Sequence, residues 1–145
     1  MKKLFLIMSL SFLLVVAAAC GSNEVNGKGP EEIPVEWANA DTQRDQSKLL
    51  SLLDKKESAL DPEDSADNNK TVKKYKLVEW KGNNDNYFYE ISYENPIKKD
   101  TLKTEQMEVI KTDDGWKRTA FGDLKDFDKL VEDLKPEVLR EMNDK

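Results

Sequence analysis

The chain has 145 residues, 38% hydrophobic and 36% charged, with one cysteine, no histidine and a formal net charge of −6. That length suits one modest domain with flanking segments. The missing histidines remove the commonest general base and metal ligand, and a lone thiol excludes an internal disulfide, a four-thiolate zinc site and a Cys-x-x-Cys redox pair.

Met1-Lys2-Lys3 precedes an apolar run of 16 residues, Leu4 to Ala19, broken only by Ser9 and Ser11. The run is shorter than the roughly 20 residues that cross a bilayer, and Gly21-Ser22-Asn23-Glu24 follows it without a basic stop-transfer cluster. This predicts a cleaved export signal over residues 1–19. The single cysteine comes directly after, and Ala17-Ala18-Ala19-Cys20-Gly21 resembles the lipobox of bacterial lipoproteins, with Ala17 where Leu is usual. The resemblance implies that the Cys20 thiol is alkylated with diacylglycerol, that Cys20 begins the mature chain, and that palmitate-type acyl chains join the protein to the outer face of the cytoplasmic membrane. At about 0.8 kcal/mol per buried CH₂, two chains hold a protein firmly where one binds reversibly. Losing Lys2 and Lys3 leaves 21 basic side chains against 29 acidic, a net −8. Such a balance repels nucleic acid and anionic lipid alike.

Residues 20–32 are Gly-rich and polar and read as a flexible tether, leaving residues 33–145 as a single α+β domain. From Pro34 onward, Val35, Trp37, Ala38 and Ala40 precede a polar stretch and then Leu49, Leu50, Leu52 and Leu53. The spacing predicts one bent helix or two short ones, with Pro34 at the first helical position, Asp41 or Thr42 as a second cap, and the four leucines as the buried stripe. Asp54 to Thr71 has almost nothing to bury and reads as a mobile, exposed loop. Its acids fail an EF-hand template laid from Asp61, with Ala66 where Gly is required and Val72 where the bidentate Glu belongs, so no metal is expected.

Four strands follow with short turns: Val72–Lys81, Tyr87–Glu94, Leu102–Thr112 and Trp116–Phe121, an antiparallel meander. The second is the cleanest, with Tyr87, Tyr89, Ile91 and Tyr93 on one face and Phe88, Glu90, Ser92 and Glu94 on the other. Asp114-Gly115 marks the last hairpin. Leu124, Phe127, Leu130, Val131 and Leu134 then predict a C-terminal amphipathic helix capped by Asp123, and Pro136 to Asn143 a further helical turn.

In order, the helix, the Leu49-Leu50-Ser51-Leu52-Leu53 run, the Tyr89-Glu90-Ile91-Ser92-Tyr93 strand and the Gly115-Trp116-Lys117 hairpin resemble the nuclear-transport-factor-two-like, or cystatin-like, domains of small lipoproteins from Gram-positive bacteria. The resemblance covers about Ile33 to Phe121. It implies a curved four-stranded antiparallel sheet wrapped on the N-terminal helix as a cone, to which the C-terminal helix is an addition. Enzymes on such folds use an Asp or Glu with His or Tyr partners inside the cone. Here His is absent, and a Glu90–Tyr or a Glu94–Arg118 acid/base pair is the candidate left for that role.

The row Tyr87, Tyr89 and Tyr93 with Trp116 could line a ligand pocket or form half the core of a small domain. Lys70, Lys73, Lys74 and Lys76 with Lys98, Lys99 and Lys103 make the middle of an acidic chain basic, as edge-strand lysines that block aggregation or as a docking face for an acidic partner such as a teichoic polymer or a protein loop. No cofactor is expected. The favoured function is a non-catalytic binding or accessory module that recruits an envelope protein or polymer to the membrane; the alternative is a small-ligand-binding or enzymatic cone.

Overall fold

The computed structural model describes residues 23–145; the expected signal segment 1–19 and Cys20 lie outside the described residues. Two helices, α1 (Glu32–Gln43) and α2 (Gln46–Leu52), precede strands β1 (Tyr75–Asn83), β2 (Asn86–Glu94), β3 (Leu102–Thr112) and β4 (Gly115–Arg118). A short helix, α3 (Phe127–Val131), and a fifth strand, β5 (Pro136–Arg140), complete the α+β fold. The sheet has the order β4-β3-β2-β1-β5 and every neighbouring pair is antiparallel.

The N-terminal segment is two helices because Arg44 adopts a left-handed conformation (φ 56°), closing α1 through Arg44 N–H to Asp41 O and Asp45 N–H to Ala40 O. Asp45, rather than Asp41 or Thr42, caps α2, its Oδ1 accepting from Lys48 N at 2.9 Å. Pro34 stands in the first turn of α1 but not at its first position. There its missing N–H leaves no intrahelical bond unmade. Leu49, Leu52 and Leu53 are buried as expected, while Leu50 is half-buried.

Two segments expected to be loose are held. Asn26-Gly27, both at positive φ, make a tight hairpin in which Val25 and Lys28 exchange backbone hydrogen bonds of 2.8 and 3.1 Å. Gly29 and Pro30 are buried, and the Asn23 carbonyl accepts from Trp116 Nε1 at 2.6 Å. Residues 23–32 therefore lie against the domain, not along a free leash. The segment 54–71 is pinned by its backbone: Ser47 N–H donates to Asp64 O, Asp67 N–H to Gln43 O, Gln43 Nε2 to Lys70 O and Val72 N–H to Asn39 Oδ1, all within 2.9 Å. Exposed polar side chains say nothing of where the main chain finds its partners, which is why the composition misled.

The sheet packs on both faces. α1 and α2 cover the face carrying Leu77, Tyr87, Tyr89, Ile91, Tyr93, Met107 and Val109. On the other face Phe88, expected in solvent with Glu90, Ser92 and Glu94, is buried beneath Phe127 and Val131, and Phe127 meets Phe88 and Trp80 edge-on at 6.3 and 5.4 Å.

The C-terminal expectation needs correction. The amphipathic helix shrinks to the five residues of α3, begun after a left-handed Asp126, and Asp123 is not its cap but accepts from Gln106 N at 3.3 Å. Residues 136–140 are a strand paired with β1, so the sheet has five strands and not four. β1 would otherwise be an open edge, and Pro136, first in an outer strand, gives up no ladder bond the sheet needs. Five residues are too few for hydrophobic period to separate strand from helix.

Phe127→Ala should lower unfolding free energy by about 3 kcal/mol in a denaturant melt. A loss below about 0.5 kcal/mol would show that α3 does not depend on its own sheet.

Candidate functional site

The alternation of β2 drives Tyr87, Tyr89 and Tyr93 to the helix-covered face, where they and Trp116 are at most 3% exposed. Tyr87 stacks on Tyr89 with centroids 6.2 Å apart and meets Trp116 edge-on at 5.5 Å. Tyr87, Tyr89 and Tyr93 line none of the surface cavities of about 620, 770, 540 and 210 Å³, and Trp116 borders the smallest. These rings pack against one another and the helices.

Between the rings lies a charged cluster that the sequence reading missed. Strand parity places Lys103 and Glu105 on the same face as Met107 and Val109, and Glu79 on the face of Leu77. That alternation was the available signal. Arg118, 1% exposed, lays its guanidinium 4.1 Å above the Trp37 ring. It donates from Nε to Ala120 O at 2.6 Å, from Nη2 to Gly122 O at 3.1 Å and from Nη1 to Glu105 at 3.4 Å. Glu105 also takes Lys103 Nζ at 2.9 Å, and Lys103 reaches Asp41 at 2.6 Å. Burial works against the Lys103 charge, but hydrogen bonds to Asp41 and Glu105 outweigh it and hold the ammonium above its ordinary range. Burial, opposed by Glu105, pulls the guanidinium below its usual value.

Glu79 accepts from Tyr89 Oη at 2.6 Å, yet burial lifts its carboxyl above the ordinary carboxylate range. Burial, with Glu79 beside Tyr89 and with Glu105 and Asp41 beside Tyr93, keeps both phenols far above their ordinary range, so they act as neutral donors. The pairs suggested by sequence are not formed: Glu90 accepts from Gln106 Nε2 at 2.7 Å, Glu94 lies 3.7 Å from Lys74, and Arg118 serves Glu105. Among the described residues no group of three carboxylates converges as a metal would require.

The basic middle of the chain divides in space. Lys103, half-exposed, pairs with Asp41 and Glu105, and Lys76 lies 3.8 Å from Glu141 on the far side of β1. Lys70, Lys73, Lys74 and Lys99 meet around one cleft of about 620 Å³, with Asn69, Thr71, Glu94, Asn95, Pro96 and Asp100. Its walls are fixed: Asn95 N–H donates to Thr101 O at 3.0 Å, Glu94 N–H to Lys74 O at 3.1 Å, and Lys70 N–H to Asn68 Oδ1 at 2.9 Å.

No family model, no curated protein and no solved structure matches the chain.

Arg118→Met leaves Glu105 buried with less of its compensation and should cost about 3–5 kcal/mol. Adding Glu105→Leu should restore at least half of that in the same melt, because the stranded charge is then gone. A single-variant loss below about 1 kcal/mol would show that the pair is dispensable.

Proposed function

We propose that the protein is an extracytoplasmic lipoprotein, acylated at Cys20 and anchored to the outer face of the cytoplasmic membrane, that acts as a non-catalytic binding or accessory module. The observation that carries the reading is the apolar run Leu4–Ala19 meeting the chain's single cysteine after three alanines. A membrane-anchored domain gains effective concentration toward membrane and envelope partners without any catalytic group.

The interior supports the non-catalytic half. A ligand-binding or enzymatic cone needs an open space with convergent polar groups. Here the expected pocket residues fill one another's contacts, and the buried charges near them are engaged in pairs. Helices packed on one face of an antiparallel sheet are compatible with the cystatin-like resemblance.

Detergent phase partitioning of wild type and Cys20→Ser tests the anchor. Wild type should enter the detergent phase and the variant, once freed of residues 1–19, the aqueous phase. Equal retention of both with membranes after signal cleavage would refute lipidation at Cys20.

A further inference from the structure

We infer that the cleft between the segment before β1 and the β2–β3 loop binds a linear polyanion of phosphate or phosphodiester groups lying beyond the membrane surface. The proposal rests on the anchored-module reading for its setting, but the binding chemistry stands on the cleft alone.

The first support is convergence. Lys70, Lys73 and Lys74 reach the cleft from one segment and Lys99 from another about 25 residues on, in a chain whose mature charge is strongly negative. Two carboxylates, Glu94 and Asp100, share the lining, and Glu94 is occupied by Lys74 at 3.7 Å. Among the described residues no ion pair engages Lys70, Lys73 or Lys99. Three of the four cations thus have no ion-pair partner among the described residues, and their charge is open to a ligand.

The second support is preorganisation. The Lys70 carbonyl is gripped by Gln43 Nε2 and the Lys70 N–H by Asn68 Oδ1, both at 2.9 Å, while Asn95 Oδ1 accepts from Ile97 and Lys98 N–H in the opposite wall. These bonds hold the backbone at Lys70 and in the turn that leads to Lys99.

The chemistry of the lining selects the ligand class. All four cations are lysines, point charges without the planar fork that reads a single carboxylate or phosphate in two bonds. All four are exposed, so a small anion would gain little from any one of them. A ligand with many regularly spaced charges gains from all together, chiefly through counterion release. The lining has no aromatic ring on which a base could stack, which disfavours single-stranded nucleic acid and leaves backbone charge as the feature recognised.

Placement favours a polymer over lipid headgroups. The register puts the β1–β2 and β3–β4 turns at one end of the sheet and the β2–β3 loop at the other. Asn23 is fixed to Trp116 at the first end. The cleft is at the far end, the length of β2 away, about 26 Å at 3.3 Å per residue. That is some three Debye lengths at physiological salt, each about 8 Å, so an anionic bilayer met by the first end would have little hold on these lysines.

Fluorescently labelled inorganic polyphosphate, titrated with the full protein purified in detergent and read by anisotropy, tests the proposal. With three to four lysines engaged, affinity should fall about 20- to 50-fold between about 50 and 200 mM salt. Lys70→Glu/Lys73→Glu/Lys99→Glu should weaken binding by about tenfold or more with an unchanged melting temperature, whereas Lys125→Glu/Lys129→Glu/Lys135→Glu, an equal change of charge elsewhere, should stay within about twofold. Absence of binding, equal loss in both triples, equally tight binding of poly-glutamate, or equally tight binding of the Cys20→Ser chain to phosphatidylglycerol vesicles would each overturn it. Because none of these readouts needs the lipid, failure here is separate from failure of the Cys20 anchor.

Discussion

Much of the described domain hangs on one buried cation. Arg118 ends β4, and its guanidinium covers Trp37 of α1, pairs with Glu105 of β3 and holds the carbonyls of Ala120 and Gly122. Its own carbonyl accepts from Asp54 N at 2.9 Å, securing the chain as it leaves α2. One side chain and its peptide thus fix both helices to the sheet and set the direction in which the chain turns toward α3. A buried guanidinium is stable only when its donors are met, so the surrounding groups are constrained to these positions. A hydrophobic residue here could fill the volume but could not tie the Ala120 and Gly122 carbonyls, and residues 119–126 have no regular structure of their own to hold them.

The same constraint shapes the interior. Lys103 and Asp41 extend the Arg118–Glu105 pair to the last turn of α1, while Tyr89 and Glu79 satisfy each other toward the β1 side. Space that could have served a ligand holds a hydrogen-bonded lattice among aromatic rings. The exposed charged side chains lie on the domain's ends and edges, where segments 54–71 and 95–101 are held by their main chain.

Much of the sheet was legible. The alternation of Tyr87, Tyr89, Ile91 and Tyr93 fixed which face of β2 is buried, and Asp114-Gly115 located the last hairpin, where Gly115 has φ 110°. The same parity, applied to Lys103, Glu105 and Glu79, pointed the charges inward, but charged residues are so seldom buried that the pattern was read past. Phe88 and β5 were not readable, since one depends on α3 folding back and the other on an edge of β1 left vacant. The lysines illustrate the limit best: sequence joined seven of them into one basic stretch, and only topology could send Lys103 to Asp41 and Glu105, Lys76 to Glu141 and four others to a common cleft that Lys98 does not line.

Asn23 is held at one end of the sheet and the basic cleft lies at the other, so an anchor at Cys20, as proposed, would bring the first end to the bilayer and leave the basic end reaching outward. The most direct measurement is energy transfer from a fluorophore, placed in turn at Asp113 and at Lys99 of the lipidated protein on vesicles, to acceptors among the lipid headgroups. Transfer from Asp113, beside the hairpin to which Asn23 is tied, should clearly exceed transfer from Lys99 at the cleft. Equal transfer from the two positions, or stronger transfer from Lys99, would contradict the orientation and with it the separation of anchor from binding site.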